Sequence, residues 1–257
     1  MLHFDDIVFG PVHSRRLGTS LGLNILPVRG KTCNFDCVYC ECGWNRDGVV
    51  AGKRFPTGDE VEKAMEAAFA AVAKDGIKVD SITMSGNGEP TLNPDFPQIV
   101  ASTLRLRDKF FPEAKVSVLS NATMTYRHEV VEALKKIDNP ILKLDAATDE
   151  LVRCIDRPSG NYSVAGIVEN LKAFEGNFIL QTMFLKSPDF TTWSQDALEK
   201  WYQVVRETRP REIMVYTIDR ETPDKRLEKC TVEQMQQFVA PLVEEGFIVQ
   251  VRGSILR

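Results

Sequence analysis

The sequence predicts an α/β fold, with six strand–helix units in a single domain spanning residues 1–257, arranged as an open, partial barrel or a doubly wound parallel sheet. Three observations point there. Short β-branched runs alternate with amphipathic stretches of roughly 10–15 residues, the pattern of βαβ units on a parallel sheet. No repeat, low-complexity tract or Pro/Gly/Ser-rich linker divides the chain. With 257 residues, 43% of them hydrophobic, the chain can bury one large core, yet six units are too few to close an eight-stranded barrel.

Taken in order, the first strand is expected over Leu23–Val28, just before a group of cysteines. Thr57-Gly58-Asp59-Glu60 has the form of a capping box, in which hydroxyl and carboxylate each satisfy an orphan N–H at a helix start. The helix behind it places Val61, Ala64, Met65, Ala68 and Val72 on one face, and Gly76 stops it. Strands follow at Val79–Met84, Lys115–Leu119, Ile141–Leu144, Phe178–Phe184 and Glu212–Ile218. The intervening helices are expected at Pro94–Leu106, His128–Lys136, Val164–Phe174 and Gln195–Glu207. A helix at Val232–Glu245 and a short strand at Phe247–Val251 complete the pattern. Ligands of such folds gather at the C-terminal ends of the strands. The cysteine loop, Gly86-Asn87-Gly88-Glu89-Pro90, Ser120-Asn121-Ala122-Thr123, Asp145-Ala146-Ala147-Thr148 and Asp219-Arg220 all fall there.

The net charge of −4 weighs mildly against an autonomous nucleic-acid binder, since phosphate neutralisation supplies most of that affinity. The N-terminus lacks the basic and apolar regions of a signal peptide. No apolar run approaches the ~20 residues that span a bilayer. A cytoplasmic protein without membrane association is expected, and in that compartment clustered cysteines mean metal or redox chemistry.

Four of the six cysteines lie between positions 33 and 42. Cys33, Cys37 and Cys40 have the spacing C-x3-C-x2-C. Three thiolates so placed wrap three corners of an iron–sulfur cube and leave the fourth iron open. A zinc site prefers four closed ligands in paired knuckles; Cys42 is available as a fourth, but no second knuckle or nearby His follows. Ordinary packing is the expectation for Cys42, Cys154 and Cys230. The three His residues, His3, His13 and His128, are too scattered for a triad or a zinc site.

This loop, with Tyr39 just before its last cysteine and Gly86-Asn87-Gly88-Glu89-Pro90 after the second strand, resembles the signature of the radical S-adenosylmethionine (SAM) superfamily. Phe9 to Gly18, Ser20 to Asn24, Leu144-Asp145-Ala146 and Asp156-Arg157-Pro158 are similar to an uncharacterised Fe–S oxidoreductase branch, related to the radical SAM domain of wybutosine-type tRNA-modifying enzymes. The resemblance implies a partial (β/α)6 TIM-like barrel. It also implies a [4Fe–4S] cluster on Cys33, Cys37 and Cys40, and SAM chelated to the open iron. Reductive cleavage of SAM would then give a 5′-deoxyadenosyl radical that takes hydrogen from a substrate. An electron donor such as flavodoxin or ferredoxin is implied; small molecule, peptide and tRNA all stay open as substrate, with tRNA-base modification, glycyl-radical activation of a partner protein, or a non-catalytic Fe–S or zinc-binding module as alternatives.

Within that resemblance Glu89 is the expected partner of the SAM ammonium, and Gly86, Asn87 and Gly88 bring backbone close to the ligand. Tyr39 is expected against adenine or as packing. Asn121, Lys143 and Asp145 end strands at the mouth; Asp145 or Lys143 is expected on ribose or the methionine carboxylate, with helix capping the alternative for Asp145. Alternation decides whether Gln181 or Thr182 faces the interior. Arg15, Arg16, Arg153, Arg157 and Arg220 are candidate anion clamps or surface ion pairs.

Overall fold

A computed structural model describes residues 4–14, 17–28, 30–48, 53–251 and 254–256. Its centre is a run of parallel strands: β2 (Gly18–Leu23), β3 (Ser81–Met84), β4 (Lys115–Ser120), β5 (Asn139–Lys143), β6 (Ile179–Met183), β9 (Glu212–Tyr216) and β11 (Val249–Val251). These pair in chain order, each to its successor. A sheet laid down in one direction curves around its first strand, because every crossover places the next strand on the same side; the result is the expected partial barrel. Antiparallel strands close both edges, β1 (Val8–Ser14) on β2 and β12 (Ser254–Leu256) on β11.

Helices cover the outside: α1 (Gly58–Lys74), α2 (Phe96–Phe110), α3 (His128–Leu134), α4 (Asp149–Ile155), α5 (Val164–Lys172), α6 (Gln195–Thr208) and α7 (Val232–Glu244). The Thr57 capping box on α1 is present as expected. The buried face of α1 uses Val61, Met65 and Phe69, while Ala64, Ala68 and Val72 are half-buried, so the stripe is centred on Phe69 rather than Ala68. Thr57, Thr148, Ser163, Ser194 and Thr231 each accept a backbone N–H at a helix start, which removes part of the desolvation cost of those ends. A small sheet of β7 (Leu185–Ser187), β8 (Phe190–Thr191) and β10 (Glu228–Lys229) sits beyond β6.

The first strand differs from expectation. It is Gly18–Leu23, not Leu23–Val28, and β1 precedes it. Gly22 is the reason: a Cβ there would lie 2.1 Å from the Phe9 ring, so the strand leaves room for an aromatic from β1 instead of carrying a side chain. The apolar run after it is a buried connection. Ile25 and Leu26 pack into the core, and Asn24 donates to the Phe4 carbonyl.

Candidate active site

The cysteine loop leaves the top of β2 and is tied on two sides by backbone. Toward β3, the Thr32 N–H donates to Asn87 O at 2.7 Å, and the Glu89 N–H donates to Thr32 O at 3.1 Å. This close approach needs Gly88: its φ is +140°, and a Cβ there would sit 1.9 Å from Thr32 O. Toward the end of α4, Asp36 N–H donates to Asp156 O and Val38 N–H to Ile155 O, both at 2.9 Å, and Ser159 N–H donates to Asn34 O at 2.8 Å. The Asp156-Arg157-Pro158 stretch is therefore a strap across the loop.

Each cysteine of the triplet meets donors or cations. Cys33 Sγ accepts from Phe35 N–H at 3.4 Å and from Asn121 Nδ2 at 3.8 Å. Cys37 Sγ accepts from Lys143 Nζ at 3.1 Å. Lys31, almost fully buried, is held by Gly43 O at 3.0 Å and Asp36 at 3.4 Å. Burial opposes its charge, but Cys40, Cys33, Cys37 and Asp36 outweigh burial and raise its pKa above the ordinary lysine value. Burial pushes the Cys33 thiol up to about 12 and also raises Cys37. A hydrogen bond with Cys42 brings Cys40 down to about 6, and the same bond raises Cys42. Thr32 Oγ1, beside Cys33, is buried with no hydrogen-bond partner among the described residues.

Glu89 is 2% exposed and its carboxylate accepts four hydrogen bonds, from Thr91 N–H, Thr91 hydroxyl, Ser120 hydroxyl and Asn121 N–H. Three fall on Oε1 and only the Asn121 N–H on Oε2, which keeps a lone pair for a further donor. Burial raises its pKa against the pull of these donors. Glu89 thus fastens the loop after β3 to the loop after β4, and an ammonium group reaching it must share it with protein. Asn87 is turned away from the mouth, its amide spent on Phe4 and Pro27 backbone.

Lys143 and Asp145, expected on ribose or the methionine carboxylate, both meet protein groups here. Lys143 Nζ touches Cys37 Sγ, Asp156 and, at 3.2 Å, Asp145, and lies over the Phe35 and Tyr39 rings. Asp145 accepts the Tyr39 hydroxyl and, at 2.8 Å, Met183 N–H; the cap of α4 is Thr148, so Asp145 does not cap it either. Burial opposes the Lys143 charge, but Asp145 and Asp156 hold its pKa well above the ordinary value. Burial lifts Asp156 to about 7 against the pull of Lys143.

Beside the loop, a cavity of about 700 Å³ opens into the barrel. Cys40, Cys42, Tyr39 and Gly86 line its mouth, while Gly22, Thr83, Leu119, Ile141, Gln181, Met183, Met214 and Tyr216 line the lumen. Gln181 faces this interior and accepts the Tyr216 hydroxyl at 3.4 Å; Thr182 faces out and accepts Trp201 Nε1–H at 3.1 Å. Among the candidate clamps, Arg220 pairs with Glu41 at the mouth, Arg153 with Asp149 on the surface, and Arg157 lies over the Trp44 ring. Arg15, Arg16 and His3 lie outside the described residues. His13 is exposed at the cavity edge, His128 is exposed at the start of α3, and Cys230 is buried against Phe184 O.

The family model of the radical SAM superfamily matches residues 28–185, from the residue range of the cysteine loop to β7. The chain belongs to the radical SAM superfamily. A UPF0026 protein of Synechocystis is 31% identical over 85% of this chain and 78% of its own length, and one of Methanocaldococcus jannaschii is 29% identical over 91% and 70%. A protein named GTPase Obg, of Brachyspira hyodysenteriae, is 27% identical over 90% of this chain, which spans about a third of it (32%). Among solved structures, a radical SAM methyltransferase from Sphaerobacter thermophilus superposes with a TM-score of 0.67 at 16% identity, over 90% of this chain and 65% of that one. Streptococcus suis SuiB bound to S-adenosylmethionine gives 0.62 at 16% identity, over 88% and 51%. These last likenesses are of fold.

The superfamily's cofactors are a [4Fe–4S] cluster and SAM, and the donor set fits the cluster. Three thiols come from one loop, and N–H donors and two buried lysines face them, which partly offsets the burial that disfavours charge on Cys33 and Cys37. Sequence reasoning missed Lys31 and the support role of Asp156. The latter had a signal, since Asp156-Arg157-Pro158 stood out as a motif without a task.

Proposed function

We propose that the chain is a SAM-cleaving radical enzyme in which Cys33, Cys37 and Cys40 hold three irons of the cluster and SAM takes the fourth. The observation that carries this reading is the loop of Cys33, Cys37 and Cys40, whose Cys40 stands at the mouth of a cavity large enough for a nucleoside and a reacting group. Once bound, cluster and SAM supply reductive sulfonium cleavage to a 5′-deoxyadenosyl radical that removes hydrogen from substrate. The protein's part is to orient and to exclude water. The Gly86–Glu89 turn offers backbone acceptors to the SAM ammonium, with Glu89 behind it; Tyr39 bounds the pocket, and Asn121, beside Cys33, is a further contact of the proposed SAM site. The lumen beyond carries neutral side chains, which suits an uncharged group of the substrate.

Anaerobic reconstitution with iron and sulfide is expected to give a cluster that, once reduced, converts SAM to 5′-deoxyadenosine. A well-formed cluster that leaves SAM intact refutes the reading, and one zinc with no sulfide favours a structural metal module instead. Cys37→Ala is expected to lose cluster and activity while keeping the α/β circular dichroism spectrum; global unfolding would point to a structural metal. A peptide or small-molecule substrate is favoured by the neutral lumen and net charge, and the wybutosine-type resemblance keeps tRNA as the second reading. Salt-dependent RNA binding separates them, because a phosphate-gripping surface weakens steeply with salt. A cytoplasmic flavodoxin or ferredoxin is the proposed electron donor. Among the described residues no helix is long and apolar enough to cross a membrane.

A further inference from the structure

We propose that Lys143 is a positioning residue of the cysteine loop, and that its charge sets how readily the bound cluster accepts an electron. The inference rests on the assignment of Cys37 as a cluster ligand. Lys143 stands at the end of β5, on a different element from the loop, and reaches Cys37 Sγ at 3.1 Å. Its side chain is 11% exposed, and Asp145 at 3.2 Å and Asp156 grip the ammonium from the other side. The Phe35 and Tyr39 rings, at 5.1 and 4.9 Å, wall it in.

Such a clamp does two things. It fixes the direction of the Cys37 sulfur, because the lysine cannot swing away without abandoning two carboxylates. It also places a fixed positive charge, poorly screened by water, against a sulfur whose negative charge grows when the cluster gains an electron. A donor to a ligand sulfur stabilises the reduced form, and ligand-sulfur hydrogen bonding and net charge are among the levers that set cluster potentials. Asp156 also carries the strap that receives the Asp36 N–H, so charge and loop position are set by one cluster of residues.

The test uses the full chain reconstituted with iron and sulfide, titrated anaerobically with dithionite against mediator dyes and read by the electron paramagnetic resonance signal of the reduced cluster. At the wild-type midpoint, Lys143→Met is expected to lower the reduced-to-oxidised ratio about tenfold, equivalent to ~59 mV for a one-electron couple. Asp156→Asn removes a negative charge and keeps the lysine, so it is expected to move the ratio the other way. Opposite signs are something a merely structural disturbance does not produce. Unmoved midpoints, or shifts of one sign in both variants, overturn the role of Lys143. If Lys143→Met fails to hold a cluster, an Asp156→Asn midpoint that is unchanged or lower still overturns it. A wild-type chain that assembles no cluster removes the cysteine-loop reading, and this inference falls with it.

Discussion

Replacing Gly88 by alanine puts the seam between the cysteine loop and the loop after β3 to the test. The added Cβ would meet Thr32 O at 1.9 Å and Thr32 C at 2.5 Å, with φ at +140°. Backbone, not a flexible side chain, stands in the way, so the cysteine loop has to move off the β3 loop. Two hydrogen bonds cross that seam, Thr32 N–H to Asn87 O and Glu89 N–H to Thr32 O, each contributing about 0.5–1.5 kcal/mol. Positive φ in an alanine adds about 1–2 kcal/mol. The sum is about 2–5 kcal/mol, a fall in Tm on the order of 10 °C for a domain of this size. Gly76→Ala is the control: its φ is +68° but nothing lies within 4 Å, so about 1–2 kcal/mol is expected. Thermal unfolding followed by circular dichroism gives the stabilities, and iron and sulfide per chain give the loading of the loop. A Gly88→Ala chain as stable as Gly76→Ala and fully loaded would refute the reasoning.

Glu89→Gln exchanges an acceptor for a group that is half donor, facing four protein donors; a loss of about 1–3 kcal/mol and weaker SAM binding by calorimetry are expected, and unchanged stability would show the hydrogen bonds to be dispensable. Thr182→Val leaves the buried Trp201 indole N–H without its acceptor, so about 1–3 kcal/mol should be lost in a urea titration. Arg54 and the Thr57 N–H bring Glu60 down to about 2. Because the folded value is depressed, that stabilisation is whole above the ordinary carboxylate range and is lost as pH falls toward about 2. The Tm difference between wild type and Glu60→Gln is expected to shrink over that window; a constant difference would contradict it.

What could be read in the sequence divides along physical lines. Strands β3, β4, β5, β6 and β9 announce themselves as short apolar runs buried along most of their length, and helices α1, α2, α6 and α7 by a buried face that recurs at helical spacing. Strand β2 carries two glycines and makes up for them with Phe9 from another strand, so its identity is a tertiary fact with no local pattern. The short α4, the small sheet of β7, β8 and β10, and the antiparallel edges were missed for the same reason: their lengths are too small for periodicity to accumulate. In the site, cysteine spacing singled out Cys33, Cys37 and Cys40 as the proposed cluster ligands. The occupations of Glu89, Asn87, Lys143 and Asp145 were not legible. A carboxylate's free lone pairs depend on neighbours dozens of residues away, such as Ser120 for Glu89 and Tyr39 for Asp145.

The strap from α4 carries a consequence for the order in which the molecule matures. Cys33 to Cys40 leave the ribosome early, but the carbonyls and the amide that fix their backbone belong to Ile155, Asp156 and Ser159, more than a hundred residues later. Until that stretch has been synthesised and α4 has docked, the thiols ride on a segment held only at its Thr32 end, by Asn87 and Glu89. Closing so long a loop costs entropy that only the finished half-barrel can offset. Iron and sulfide delivered to the nascent chain would therefore meet a floppy ligand set, and productive loading belongs after the fifth strand is in place.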